Sequence, residues 1–366
     1  MTAPTFQSAA TSTDGSTVVL TYDEALSSTT AATSDFAVTT ASSTNAVTAV
    51  STSGTNVELT LTTPVLKDQS VTVAYTDPNT GSNDANAVQD SAGNDAASIS
   101  AKTVTNNSTY VQGLQVELFE GINFDGLIQR QYEETINIDD TYNSSITGQD
   151  GETWSIRAYG QIQAWTTGTN RWYTLSDDRV RIWINDELAV NNPNDHSARY
   201  DLVTASGLTN GQWYSIKIEF AENTEVSQLR LRKYSNYTQL VPTEQLRFNT
   251  KAPIFQSAAT SADGTKVVLT YDEALSYQEA SNWVDAPNTG TSSTTATTSD
   301  FAVTTDSSAN AVTGVAVSGA TVELTLTNTV KNDQTVTVSY TDPNLGSSLG
   351  NNDVNAIQGI QGNDAA

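Results

Sequence analysis

APTFQSAATSTDGSTVVLTYDEALS occupies residues 3–27, and APIFQSAATSADGTKVVLTYDEALS occupies residues 252–276. The two stretches differ at four of 25 positions (5/254, 13/262, 16/265 and 17/266) at a constant offset of 249. One folding unit therefore occurs twice and brackets something else. Within each copy, polar and apolar residues alternate in short runs. In the first copy these are STVVLTYD, NVELTLTT and QSVTVAYTD, separated by STDG, STSGTN and DPNTG. Side chains alternate faces along a strand, so such runs predict strands with one buried face. About 100 residues of them make an all-β sandwich of immunoglobulin type. The wealth of Thr, Val and Ser weighs against long helices.

Composition breaks between the copies. Eleven of the 16 Lys and Arg residues and five of the six tryptophans (Trp154, Trp165, Trp172, Trp183, Trp213) lie in the intervening segment. The flanks are instead rich in Thr, Ser, Ala, Val and Asp. These shifts divide the chain into a sandwich repeat over 1–107, a central domain over 108–248, and a second repeat over 249–366. The second repeat carries a 16-residue insertion after Leu275 and stops at GNDAA, where the first continues as SISAKTVTN, so its last strand is expected to be missing from this chain or donated from elsewhere. The opening MTAPTFQS enters the repeat with no signal-like segment, which reads as a piece of a longer chain.

Formal charge is −25, with no cysteine and one histidine. That balance repels nucleic acid and anionic membranes and favours cations and neutral ligands. No apolar run approaches the roughly 18 residues of a membrane-spanning helix. Without cysteine, neither disulfides nor thiol chemistry is available.

Acidic residues gather at one pole of each repeat. Following the strands out and back places Asp23 and Glu24 with Asp77, Asp84, Asp90 and Asp95 of the loop DPNTGSNDANAVQDSAGND. The second copy keeps Asp272, Glu273, Asp342, Asp353 and Asp364, with Gly359 where the first has Asp90. Oxygen ligands without His or Cys suit calcium, so these residues are expected to hold structural ions at domain junctions; a solvated acidic loop is the alternative.

The central domain also reads as β, through TWSIRAYGQIQAW, RWYTL, RVRIWIN and QWYSIKIEF. Alternating the strand directions brings four connections to one end. They are Ser176-Asp177-Asp178, the loop 191–200 (NNPNDHSARY), AENTEVS at 221–227, and TGQDGE before Trp154. Oxygen-rich loops converging on a rigid sandwich are a usual way to build a ligand site. The tryptophans fall on strands, where packing explains them, and Trp165 and Trp172 flank the turn at the opposite end. Asp139-Asp140 reads as a solvated turn.

The run YTLSDDRVRIWINDELAV resembles the core of PA14 domains, with Asn185-Asp186 at the turn. LQVELFEGINFDG and GETWSIRAYG resemble the opening of that family and its Arg-x-x-Gly strand. The flanks resemble the acidic repeats of very large RTX adhesins, and the combination is similar to the sugar-binding region of such proteins, marine ice-binding adhesins included. The resemblance to PA14 lectins implies that Asp177 and Asp178, joined by a cis peptide, hold a calcium ion. It further implies Glu222 as a side-chain ligand and the carbonyls of Thr224 and Val226 as the others, with Asn223 one position away in register. Sugar hydroxyls would complete the ion's shell, and Gln149, Asp150, Asn192, Asp195, His196 and Arg199 would select among sugars.

Neither a zinc set, a phosphate loop nor a G-x-S-x-G elbow is present in the sequence. Carboxylates that hydrolyse glycosides stand roughly 5–9.5 Å apart across a cleft, whereas adjacent aspartates suit one shared cation. The expectation is a non-enzymatic, calcium-dependent lectin segment of a bacterial cell-surface adhesin, monomeric and extracellular. It would bind neutral glycans weakly and gain avidity from many copies. An ancillary sugar-binding region of a secreted glycosidase and a purely structural stalk are the competing readings.

Overall fold

A computed structural model describes the chain except for residues 1, 29–30, 80–85, 140–152, 224–226, 274, 277–295, 343–355, 360–364 and 366. It is built almost wholly of antiparallel strands, in two compact units, Met1–Val111 and Gln112–Ala366.

In the first unit, two four-stranded sheets face each other. One runs Phe6–Thr11, Thr17–Tyr22, Asn56–Leu61, Val47–Ser53; the other runs Ser43–Asn45, Phe36–Thr40, Val71–Tyr75, Ile99–Thr103. Alternation decides the faces: Val18, Leu20 and Tyr22 meet Val57, Leu59, Val71, Val73 and Tyr75 in the core. Each fully buried Val or Leu contributes about 1.5–3 kcal/mol. The STDG turn demands glycine, since Gly15 has φ +72° and a Cβ there would lie 2.0 Å from the Val65 carbonyl oxygen. Its counterpart Gly264 has φ +69° and would meet Val330 oxygen at 2.1 Å.

The second repeat rebuilds the first sheet as Phe255–Thr260, Lys266–Tyr271, Thr321–Leu326 and Val312–Ser318. Its other sheet has three strands, Ser308–Ala309, Phe301–Thr305 and Val336–Tyr340. Among the described residues, no strand pairs with Val336–Tyr340 as Ile99–Thr103 pairs with Val71–Tyr75 in the first copy. Val71, Val73 and Tyr75 are buried in the first copy, while Val336, Val338 and Tyr340 are only half-buried. Ala9 and Thr11 are buried, whereas Ala258 and Thr260 are exposed. A cavity of about 210 Å³ opens there, lined by Phe255, Leu269, Tyr271, Val338 and Tyr340.

The central domain is a larger sandwich. Its first sheet runs Asp125–Glu133, Leu114–Glu120, Trp154–Gln163, Trp213–Glu222, Arg179–Ile184, Glu187–Asn192, with Leu246–Asn249 also paired to Trp154–Gln163. The second runs Asn137–Asp139, Gln228–Lys233, Gly168–Asp177, Arg199–Leu208. Trp154, Ile156, Ile182, Ile218 and Phe220 pack against Trp172, Val203, Leu229 and Leu231 between them.

The outer face of the first sheet carries a row of alternating charge. Antiparallel register aligns Arg130, Glu117, Arg157, Glu219, Arg181 and Asn191 across six strands. Arg130 Nε donates to Glu117 at 2.8 Å, Arg157 Nε to Glu219 at 3.1 Å, and Arg181 Nε to Asn191 at 3.1 Å. Arg157 also lies 4.4 Å from the centre of the Phe124 ring. Neighbouring long side chains and the buried Phe119 and Phe124 rings cover one another, so Glu117, Arg157 and Glu219 are withdrawn from water on this outer face. One row along, Lys217 Nζ sits 3.9 Å from the Trp183 ring centre, so Trp183 packs on this outer face and not in the core.

Candidate functional site

The strand Gly168–Asp177 belongs to one sheet and Arg179–Ile184 to the other, so Asp178 is the single residue by which the chain crosses between them. The peptide bond joining Asp177 to Asp178 is cis. Inward side chains along the first of these strands are Trp172, Thr174 and Ser176, all buried, and the acidic pair follows at the rim.

Two loops close on the pair through backbone amides. His196 N–H donates to Asp178 Oδ1 at 2.9 Å, Asn223 N–H to Asp178 Oδ2 at 3.1 Å, and Ala198 N–H to Asp177 Oδ2 at 2.9 Å. The loop after Asn192 and the end of Trp213–Glu222 are therefore both tied to these carboxylates. Asp178 is buried and Asp177 half-buried.

A layer of side chains fixes the loops. Asp195 pairs with Arg179 and accepts Asn223 Nδ2 at 2.8 Å. The Arg179 hydrogen bond holds the Asp195 carboxyl below its ordinary value. Asn192 donates to Asp201 at 2.9 Å and meets His196 Nε2 at 2.7 Å, while His196 Nδ1 lies 2.9 Å from the Ser197 carbonyl oxygen. One assignment fits both contacts: Nδ1–H donates to Ser197 and Nε2 accepts from Asn192. Arg199 donates to Asp201 at 2.6 Å and remains half exposed.

The structure thus gathers Asp177, Asp178, Asn192, Asp195, His196, Arg199 and Asn223 at one rim. Glu222 differs from its neighbour in register. It is the last residue of its strand, opposite Trp154 and on the same face as Phe220, and is only 2% exposed. Among the described residues of this loop, Asn223 is the one whose backbone reaches the acidic pair. Thr224, Val226, Gln149 and Asp150 lie outside the described residues. Asp201 was not anticipated; its place opposite Thr174 on a neighbouring strand is a matter of register that sequence does not display.

Among the described residues, no three of His, Cys, Asp and Glu are grouped so as to hold a metal ion. The acidic groups brought to the rim are Asp177 and Asp178, with Asp195 engaged by Arg179 and Asp201 by Asn192. Carboxylate oxygens are hard donors of the kind that calcium takes.

The flanking carboxylates have local partners. Asp23 accepts the Thr5 amide at 2.7 Å, and Asp272 accepts the Ile254 amide at 2.7 Å and pairs with Lys251. Asp77 caps Asn79 at 3.2 Å. Asp90 accepts the amides of Ala92 (2.8 Å) and Asn94 (2.9 Å) and the Asn94 side chain (2.7 Å), which holds its carboxyl below the ordinary value. The backbone of Asp95 forms an isolated β-bridge with Gln89, and Glu24 is half-buried. Burial, with Asp272 beside it, pushes the Glu273 carboxyl up to about 7. Its Oε1 lies where a Cβ on Gly359 would come within 2.7 Å. Asp342 closes the described part of its loop, and Asp84, Asp353 and Asp364 lie outside the described residues.

The geometry can be set beside known proteins. Residues 110–240 match the PA14 domain family. Residues 1–80 and 248–345 match the SWM repeat, a family described by its association with flagellar systems. No curated protein matches the chain. Among solved structures, the PA14 domain of the MpAFP antifreeze protein is 14% identical, covering 38% of this chain and 92% of that one, with a TM-score of 0.29. The A domain of epithelial adhesin 9 from Candida glabrata, in complex with Galβ1-4GlcNAc, is 9% identical over 38% of this chain and 91% of its own, with a TM-score of 0.28. A β-glucosidase from Kluyveromyces marxianus, in complex with glucose, is 14% identical over 34% of this chain and 16% of its own, also with a TM-score of 0.28. No helix among the described residues is long and apolar enough to cross a membrane.

Proposed function

We propose that the PA14 segment is a calcium-dependent lectin domain carried by a bacterial cell-surface adhesin, with the flanking repeats projecting it. The observation that carries this reading is the acidic pair at the crossing between sheets, with three of its oxygens fixed by amides from two separate loops. Adjacent carboxylates repel unless a cation offsets their charge. Asp177 and Asp178 would hold a calcium ion, with Asn223 or Glu222 and carbonyls of the following loop completing the protein's share. When bound, the ion supplies open coordination positions that vicinal sugar hydroxyls occupy. The protein's own contribution is positional. His196, Ala198 and Asn223 amides hold the carboxylates in place, and the Arg179–Asp195 pair and the Asn192–Asp201 contact hold the loop that would border the sugar. Surface location, neutral-glycan specificity and structural calcium at the junctions belong to the same reading.

A glycan array probed with the whole chain, first in calcium and then in chelator, tests it. Binding present in calcium, lost in chelator and lost in Asp178→Ala is expected. Binding indifferent to both overturns the proposal.

A further inference from the structure

The outer face of the sheet that ends in Asp177 carries a cluster of rings that the rim does not use. Tyr173 stacks on Tyr234 with centroids 5.6 Å apart and 23° between planes. Tyr200 meets Tyr173 edge-on at 6.2 Å and Tyr237 edge-on at 5.8 Å. Leu202 stands directly across from Tyr173, and Arg171 lies 5.7 Å from the Tyr234 ring. Arg232, the other cross-strand neighbour of Tyr173, donates to the Tyr237 carbonyl at 3.0 Å and secures that turn. The rings are open to solvent: Tyr237 is 58% exposed, Tyr200 46%, Leu202 44% and Tyr234 41%.

A contiguous exposed patch of this kind marks an interaction surface more often than a packing accident. Its chemistry narrows the occupant. Aromatic rings present a negative face, and sugars present a face of weakly positive C–H bonds with hydroxyls at the edge, which phenol groups can meet. Arg171 and Arg232 are engaged by the platform's own ring and carbonyl, and a chain of formal charge −25 disfavours a polyanion. Position narrows it further. Tyr173 and Asp177 share one strand, four residues apart, about 13 Å at the usual rise. Tyr200 follows Arg199, whose backbone position faces Ser176 beside the pair. The platform therefore continues the rim over the length of a short oligosaccharide.

We infer that this tyrosine face is a second contact surface, which takes the inner units of a neutral glycan chain whose terminal unit sits at the Asp177–Asp178 rim. The inference rests on the lectin reading for the terminal unit only. It makes a polysaccharide, not a monosaccharide, the preferred ligand.

The test measures binding of isomalto- and galacto-oligosaccharides of graded length to the whole chain, in calcium and in chelator. Affinity should rise with length by roughly tenfold overall, equivalent to about 1.4 kcal/mol. The double variant Tyr200→Ala/Tyr237→Ala should lose that rise while keeping the calcium-dependent binding of the monosaccharide and an unchanged melting temperature. Tyr200→Phe should keep most of it. Length-dependent binding that persists in chelator and needs the tyrosines would support this surface even if the rim reading failed. The inference is overturned by monosaccharide binding with no gain on lengthening, by a length dependence untouched in the double variant, by preference for a polyuronate over the neutral chain, or by no binding of any probe.

Discussion

The amide of Asn223 donates to Asp178 Oδ2 at 3.1 Å, so the end of one strand is anchored on the residue that links two others. Glu222, immediately before it, is buried on the inner face of the strand. The two neighbours should therefore behave differently when calcium binding is measured by titration calorimetry. Asp178→Ala should abolish it, and Asn223→Ala should weaken it about tenfold, or 1.4 kcal/mol. Glu222→Gln should lower the melting temperature more than it changes the calcium affinity. The reverse order would place the ligand one residue earlier.

The charge row predicts a large cost for removing one member. Arg157 is buried between Glu117 and Glu219, and Arg157→Met leaves those carboxylates without it. A loss of about 3–5 kcal/mol in urea unfolding of the central domain is expected. Glu219→Gln, which leaves Arg157 near Glu117, should cost less.

Glu273 gives the second repeat a pH dependence. Its carboxyl is raised in the fold from 4.5 to about 7, so between those values the folded state holds a proton that the unfolded state has released. Stability from this group is complete below about 4.3 and is lost as pH rises through about 7. A melting temperature for this repeat that falls over that window, with the slope removed in Glu273→Gln, is the expected result. An unchanged slope in the variant would assign it to other groups.

Among the described residues, the edge of Val336–Tyr340 away from Phe301–Thr305 is unpaired, and it should accept a strand. A peptide with the sequence of residues 97–109 supplies what Ile99–Thr103 and Thr105 supply in the first copy, where Thr105 exchanges hydrogen bonds with Ala9 and Thr11 at 2.9 Å. Adding it should raise the melting temperature of the second repeat in proportion to occupancy. A peptide with Ile99→Asp and Val104→Asp should have no effect.

Much of this architecture is legible in the residues. Alternation in STVVLTY or RVRIWI states which side chains are buried, and the 249-residue offset states that the module recurs. Counting strand directions was enough to bring loops 191–200 and 221–227 to the acidic pair. What stayed hidden depends on register between strands distant in sequence. Nothing in the order of residues says that Arg157 stands between Glu117 and Glu219, or that Tyr173, Tyr200 and Tyr234 meet on one face. The alternation that buries Trp172 does put Tyr173 outside, yet its ring partners come from elsewhere in the chain. Trp183 was assigned to packing on the strength of its strand, and its partner is a lysine.

The interleaved row of arginines and glutamates has one more implication. On a molecule so heavily anionic, that row carries no excess of negative charge, since three arginines stand against two glutamates and it ends on the neutral Asn191. Other copies approaching from that side meet little of the repulsion that guards the rest of the surface. Contact between copies of this chain at high concentration would therefore favour this face.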